Sequence, residues 1–240
     1  MENQFSRTEL IYGKLAMKKL ANARIAVFGI GGVGGHTVEA LVRSGIGAVD
    51  IIDNDKVCIS NINRQIIATH KTVGMDKVDA AEERLLEINP DVKIVKHKTF
   101  FTPETSGNFD FTQYDYIVDA IDTVTGKIEL ILKAKEAGTP IISSMGAGNK
   151  KNPSAFEVTD IFKTSVCPLA RVMRNELKKR GVKKLKVVYS QETPLSPAPD
   201  SESIEPTASR RATPGSNAFV PSVVGLIIAG EIINDITALS

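Results

Sequence analysis

Three charged side chains, Arg64, Lys77 and Asp122, lie downstream of a glycine turn spaced like a phosphate cradle. Gly29, Gly31 and Gly34 follow a short apolar run, Ile25 to Phe28, and precede an apolar helical pattern. Glycine lets the main chain turn tightly and approach a phosphate with no Cβ in the way. The helix that follows aims its free N–H groups and its dipole at the anion. Asp53 stands about twenty residues on, where a carboxylate accepts from ribose hydroxyls. These features fit two nucleotides. A hydride-transfer enzyme would hold NAD with the turn and Asp53, and would leave Asn61, Arg64, Lys77 and Asp122 without a role. An adenylating enzyme employs all four. Attack at an α-phosphate needs positive charge on the phosphate oxygens, a metal, and an anchor for the departing pyrophosphate. Arg64 and Lys77 carry such charge, and Asp122 offers the hard oxygen that Mg2+ prefers. Their joint occurrence favours ATP.

These side chains need a scaffold, and the apolar periodicity supplies one. Residues 7–20 read as a helix with Gly13 near a turn, and residues 25–28 as a buried parallel strand. Val38, Leu41 and Val42 mark the inner face of a crossover helix that Ser44-Gly45 ends. Strands are expected at 48–52, 93–95, 116–122, 140–144, 155–160 and 185–190. Helices are expected at 77–88, 127–137 and 169–180, with an irregular stretch and one helical turn over 100–113. In an open parallel sheet, ligands bind beyond the carboxyl ends of the strands, which places Asp119 and Asp122 on the side of the glycine turn. The alternation predicts an α/β, Rossmann-like, mostly parallel sheet with helices on both faces, extended by further strands and a C-terminal helix. Residues 1–240 are expected to form one domain, with residues 191–217, rich in Pro, Ser, Thr and Glu, as a flexible loop.

The 240 residues carry a net charge of +2, which predicts no general polyanion-binding surface, so any nucleic-acid contact must come from a local patch. Two cysteines, Cys58 and Cys167, make no disulfide framework and no zinc motif. The polar start lacks the apolar core of a signal peptide, and a cytoplasmic location is expected. The apolar stretch from Ala218 to Gly230 is too short and interrupted for a membrane span and reads as a buried helix.

Gly29-x-Gly31-Gly32-Val33-Gly34, Asp53-x-Asp55, Ser60-Asn61-x-Asn63-Arg64-Gln65, Gly74-x-x-Lys77 and Asp119-Ala120-Ile121-Asp122 resemble the ubiquitin-activating-enzyme-like adenylyltransferases, which also include activators of sulfur-carrier proteins. The resemblance covers nearly the whole chain. Further features, among them Gly146-Ala147-Gly148, residues 158–164 and Val187-Val188-Tyr189-Ser190, resemble the branch that acts on a modified adenosine of tRNA. That branch adenylates the carboxylate of N6-threonylcarbamoyladenosine with ATP and Mg2+, then closes a ring with loss of water. The resemblance implies that Gly29, Gly31, Gly32, Gly34, Asp53, Asp55, Asn61, Arg64, Gln65 and Lys77 bind ATP, with Asp53 on the ribose and Arg64 and Lys77 on the phosphates. Asp122 would bind Mg2+. Arg7 would reach into the ATP site of a partner subunit in a homodimer. Sulfur-transfer partner proteins, and activation of the C-terminal glycine of a ubiquitin-like sulfur carrier, are the alternative that the wider family offers.

The implied reaction requires no protein nucleophile, because the second step is intramolecular. Cys58 is expected to be packing. Cys167 has no neighbouring His or Asn motif to activate it and reads as a small structural residue. His36 reads as a surface residue of the first helical turn. The tRNA reading needs a basic surface, and Arg171, Arg174, Lys178, Lys179, Arg180, Lys183, Lys184 and Lys186, with Glu176 among them, supply one; the alternative is a solvated lysine-rich helix face. Arg210 and Arg211, on the loop, are expected to order over the anticodon arm.

Overall fold

The structure, a computed structural model, describes residues 3–196 and 214–238. Most of the loop expected over 191–217, with Arg210 and Arg211, lies outside the described residues. Helix α1 (Ser6–Asn22) is interrupted at Gly13, whose φ of 79° and ψ of 164° are not helical. It leads into strand β1 (Arg24–Phe28), then α2 (Gly34–Arg43), β2 (Ala48–Ile52), α3 (Lys77–Ile88) and β3 (Lys93–His97). Strand β4 (Tyr116–Asp119) is followed by α4 (Val124–Ala137), β5 (Ile141–Ser144), β6 (Phe156–Asp160), α5 (Pro168–Lys179), β7 (Lys186–Ser190) and α6 (Val220–Ala238).

The seven strands form one sheet in the order β3-β2-β1-β4-β5-β7-β6. All neighbours are parallel except β6 and β7, which pair antiparallel at one edge. The order reverses direction between β1 and β4, so the glycine turn after β1 opens at the crevice where ligands of such sheets sit. Ile25, Val27, Val49 and Ile51 point into one core layer with α2, α3 and α6. Ala26, Phe28, Ile117 and Val187 point into the other, filled by α4, α5 and the rings of Phe101, Phe109 and Phe111. These strands thus bury both faces, which is why they read as continuous apolar runs.

Four expectations change. Asp122 lies beyond β4, which ends at Asp119. Helix α4 starts at Val124 rather than Lys127, because Thr123 is extended and stands as the cap, so Lys127 falls in the first turn. The stretch 100–113 holds two single 3-10 turns, Ser106–Asn108 and Phe111–Gln113, rather than one helical turn. The apolar C-terminal helix runs to Ala238, long and apolar enough by composition to cross a membrane. Its Val224, Ile228 and Ile232 are instead fully buried against the sheet layer.

Candidate functional site

The turn after β1 folds as its glycines demand. Gly29 has φ of 90°, and a Cβ there would stand 2.6 Å from the Ala120 carbonyl oxygen. At Gly34 a Cβ would stand 1.8 Å from the Gly29 oxygen, so the first turn of α2 closes only over glycine. Asp53, just past β2, braces the turn: one carboxylate oxygen accepts from the Ile30 N–H at 2.8 Å and the other from the Asp55 N–H at 2.9 Å. The carboxylate keeps acceptor capacity beyond these two bonds.

Lys77 opens α3 and reaches back to the same loop. Its Nζ is 2.7 Å from Asp55 and 3.5 Å from Asp53. Lys77 and Asp53, expected to hold different parts of one nucleotide, are therefore paired with each other, and Asp55 closes the group. Asp55 is largely exposed, at 61 %, whereas the Lys77 side chain is 8 % exposed. The buried ammonium is thus pre-oriented and can exchange the solvated Asp55 for a phosphate oxygen.

The segment after β2 completes this wall. A Cβ on Gly32 would lie 3.5 Å from Arg64 Cγ and 3.2 Å from Pro221 of α6. The Arg64 guanidinium donates to the Ser60 carbonyl and to Asn63 Oδ1, at 2.8 and 2.9 Å. Gln65 is 6 % exposed, and its Oε1 has no hydrogen-bond partner among the described residues. Its Nε2 is the sole atom near a Gly31 Cβ among the described residues, at 3.9 Å, so the turn leaves a cradle bounded by the carboxamide. Asn61 turns inward instead: its Oδ1 accepts from the Cys58 N–H and caps a 3-10 turn. It orders the Arg64 loop rather than facing the cradle through that oxygen.

At the end of β4 the two acids separate. Asp119 is fully buried and bound to Lys127 and Ser143. Asp122 is exposed and makes no ion pair among the described residues. Both acids stand on the side of the glycine turn as expected, but Asp119 is closed off there, because the strand's last residue points into the core layer under α4. Among the described residues no cluster of three metal-binding side chains occurs. A lone carboxylate nevertheless suits Mg2+, which takes one or two carboxylates together with substrate phosphates.

Arg7 is far from this crevice within its own chain. The start of α1 packs at the amino-terminal ends of the strands, opposite the carboxyl ends where the crevice opens, with Phe5 near Gly45 before β2 and Gln4 bonded to Asn89 before β3. His36 is half-buried rather than a free surface residue. Burial lowers its pKa, and the hydrogen bond to the Arg64 backbone pulls weakly the other way.

Cys58 is exposed rather than packed, because it is the extended cap before the 3-10 turn. Cys167 is buried at the cap of α5. The basic segment divides. Arg174 is tied to Thr164, and Lys179 and Arg180 to Glu176. Lys186 points from β7 to Glu231 and Asp235 of α6 and leaves the patch. Arg171, Lys178, Lys183 and Lys184 are exposed and unpaired among the described residues.

Two contributors are absent from the expectations above. Lys127 gives no signal, since a lysine in a helix reads as solvated. The N-terminus of α6 meets the glycine turn through Pro221, and Asn217 caps that helix by accepting from the Val220 N–H at 2.8 Å. Asn followed by Pro in the first turn is a legible helix start.

The sequence and the fold both match known proteins. Residues 3–239 match the model of the ThiF family. The chain is 43 % identical over 98 % of its length to the tRNA threonylcarbamoyladenosine dehydratase of Bacillus subtilis, and spans 95 % of that protein. The crystal structure of the E. coli tRNA N6-threonylcarbamoyladenosine dehydratase, TcdA, in complex with ATP superposes with a TM-score of 0.88 at 34 % identity, over 98 % of this chain and 94 % of that one. The AMP complex of the same E. coli protein matches equally well, with a TM-score of 0.88.

Proposed function

The chain belongs to the ThiF family, and from that premise we propose that it is an ATP-dependent tRNA threonylcarbamoyladenosine dehydratase. The observation that carries this is the near full-length match to an enzyme of that name, joined to a crevice built for a nucleoside triphosphate. A carboxylate of N6-threonylcarbamoyladenosine attacks the α-phosphorus of ATP. A carboxylate oxygen to phosphorus bond forms, the bond to the β-phosphate bridge breaks, and pyrophosphate leaves. The carbamoyl group of the same nucleoside then attacks the acyl carbonyl and loses a proton, AMP departs, and the ring closes. The net change on the base is loss of one water. No protein nucleophile is needed, which suits a buried Cys167.

The residues divide the work by their placement. The main chain of Gly29 to Gly34 lies against the phosphates, and the α2 N-terminus offers its N–H groups. Asp53 accepts from the ribose. Gln65, Asn61 and Asp55 order the wall, and Arg64 and Lys77 bring positive charge to the β- and γ-phosphates, where negative charge grows in the transition state. Asp122 would hold Mg2+, which when bound neutralises phosphate charge. Arg171, Lys178 and Lys183, with Arg174 and Lys179 beside them, form the surface for the tRNA backbone. The molecule acts as a homodimer in the cytoplasm. Leu10, Ile11 and Leu15 of α1 stand 86, 78 and 81 % exposed, a face that a second copy would cover while bringing Arg7 to its partner's crevice.

The test is direct. With ATP, Mg2+ and tRNA bearing threonylcarbamoyladenosine, digested nucleosides should show that nucleoside lighter by one water and AMP in equal amount. Intact nucleoside after incubation with folded protein would overturn the assignment.

A further inference from the structure

Lys127 is placed against ordinary preference. It lies in the first turn of α4, where the helix dipole disfavours a cation, and its side chain is fully buried. Its counter-charge is Asp119, equally buried, at 2.9 Å. A buried ion pair gives little stability over an apolar pair of the same shape, and its best-attested use is to select one geometry.

What this pair fixes is the corner that carries Asp122. Asp119 is the last residue of β4, in register with Phe28 of β1 and Ser143 of β5. One oxygen accepts from Lys127 and from the Ile121 N–H, the latter at 3.3 Å; the other accepts from the Ser143 hydroxyl at 2.5 Å. The carboxylate thus ties helix α4, strand β5 and its own following turn to one point. Ala120 continues the strand by donating to the Phe28 carbonyl at 2.9 Å, and its own carbonyl lies against Gly29. The next two residues are Ile121 and the exposed Asp122.

We infer that Lys127 and Asp119 are positioning residues: the buried pair locks the Asp119–Asp122 corner against the glycine turn and presents the Asp122 carboxylate ready-placed to the nucleotide. Neither side chain reaches substrate. The inference rests on the adenylation reading for its catalytic consequence, and on geometry alone for the locked corner.

The experiment compares the wild type with Lys127→Met and with the double variant Lys127→Met/Asp119→Asn, which removes both charges. The single variant strands a buried carboxylate, so the double variant carries the test. Two quantities are read: backbone amide exchange across Ala120–Thr123, and AMP release against ATP concentration. In the double variant, exchange at the corner should quicken at least about fivefold while the other sheet amides keep their protection. The KM for ATP should stay within about twofold, and kcat should fall on the order of tenfold to a hundredfold, the cost of a misplaced group. Unchanged corner exchange with unchanged kcat would overturn the inference. So would unfolding of the double variant, or protection lost evenly across the sheet, since the pair would then serve stability alone. The exchange measurement needs no tRNA. A wild type inert on threonylcarbamoyladenosine would refute the assigned reaction, whereas a corner that does not loosen would refute the lock.

Discussion

At the scale of single residues, the crevice separates exposed groups from the buried groups that hold them. Asp122 is exposed at the end of a braced corner, while Asp119, three residues earlier, is neutralised in the core. Asp122→Ala should therefore lower AMP release by about a hundredfold or more, a loss typical of removing one transition-state stabiliser, with the melting temperature unchanged. Cys58→Ser, in the same wall, should leave turnover near that of the wild type, because the second step is intramolecular; a large loss would demand a covalent intermediate on sulfur. Arg64, Lys77 and Asp122 are legible in the sequence because each sits at a fixed distance from a glycine or a strand end. The pairing of Lys77 with Asp53 and Asp55 is not, because it depends on α3 docking beside β2. Nor is Lys127, whose burial follows from a helix starting three residues earlier than its periodicity suggests.

At the scale of elements, two charge clusters behave differently because one is buried and one is not. Asp50 of β2 is 1 % exposed and accepts from Arg24 of β1, His97 of β3 and Tyr114. Burial raises its pKa, but the hydrogen bonds from His97 and Arg24 outweigh this and hold it below the usual carboxylate range. The sign follows: a carboxyl with a lower pKa folded than unfolded stabilises fully above about pH 4 and loses that contribution as pH falls through the folded value. Asp50→Asn should cost about 2–3 kcal/mol at neutral pH and flatten the acid limb of the unfolding curve below about pH 4. The basic run from Arg171 to Lys186 looks continuous in sequence, yet partners on Thr164, Glu176 and α6 split it. Charge reversal at Arg171, Lys178 and Lys183 should weaken tRNA binding and reduce the salt slope by about one for each phosphate no longer neutralised. Lys186→Gln, which removes a charge already paired with Glu231 and Asp235, should leave that slope alone. Equal effects from both would return α5 to a solvated face.

At the scale of the whole molecule, the centre of the sheet is legible because β1 and β4, buried on both faces, are mostly apolar. The antiparallel β6 edge and the seating of α6 on the glycine turn depend on contacts between distant segments, which no local period records. The same limit applies to Arg7. Its own chain holds the start of α1 at the amino-terminal ends of the strands, away from the crevice at their carboxyl ends, so it can serve an active site only by crossing to another copy. The exposed Leu10, Ile11 and Leu15 are the apolar face that the proposed contact would cover. If each crevice takes its arginine from the partner, Arg7→Ala and Asp122→Ala are each inactive alone but damage different halves of a composite site. In a mixed dimer, the Arg7→Ala subunit keeps its own Asp122 and receives an intact Arg7 from its partner. The other site lacks both groups. With random exchange of equal amounts, about half the dimers are mixed and each has one competent site, so activity should recover to about one quarter of wild type. Recovery should vanish when Leu10→Glu and Leu15→Glu are added to both variants and light scattering reports monomers. Failure of the mixture to recover, with dimers present and subunits exchanged, would leave Arg7 with no part in its partner's site.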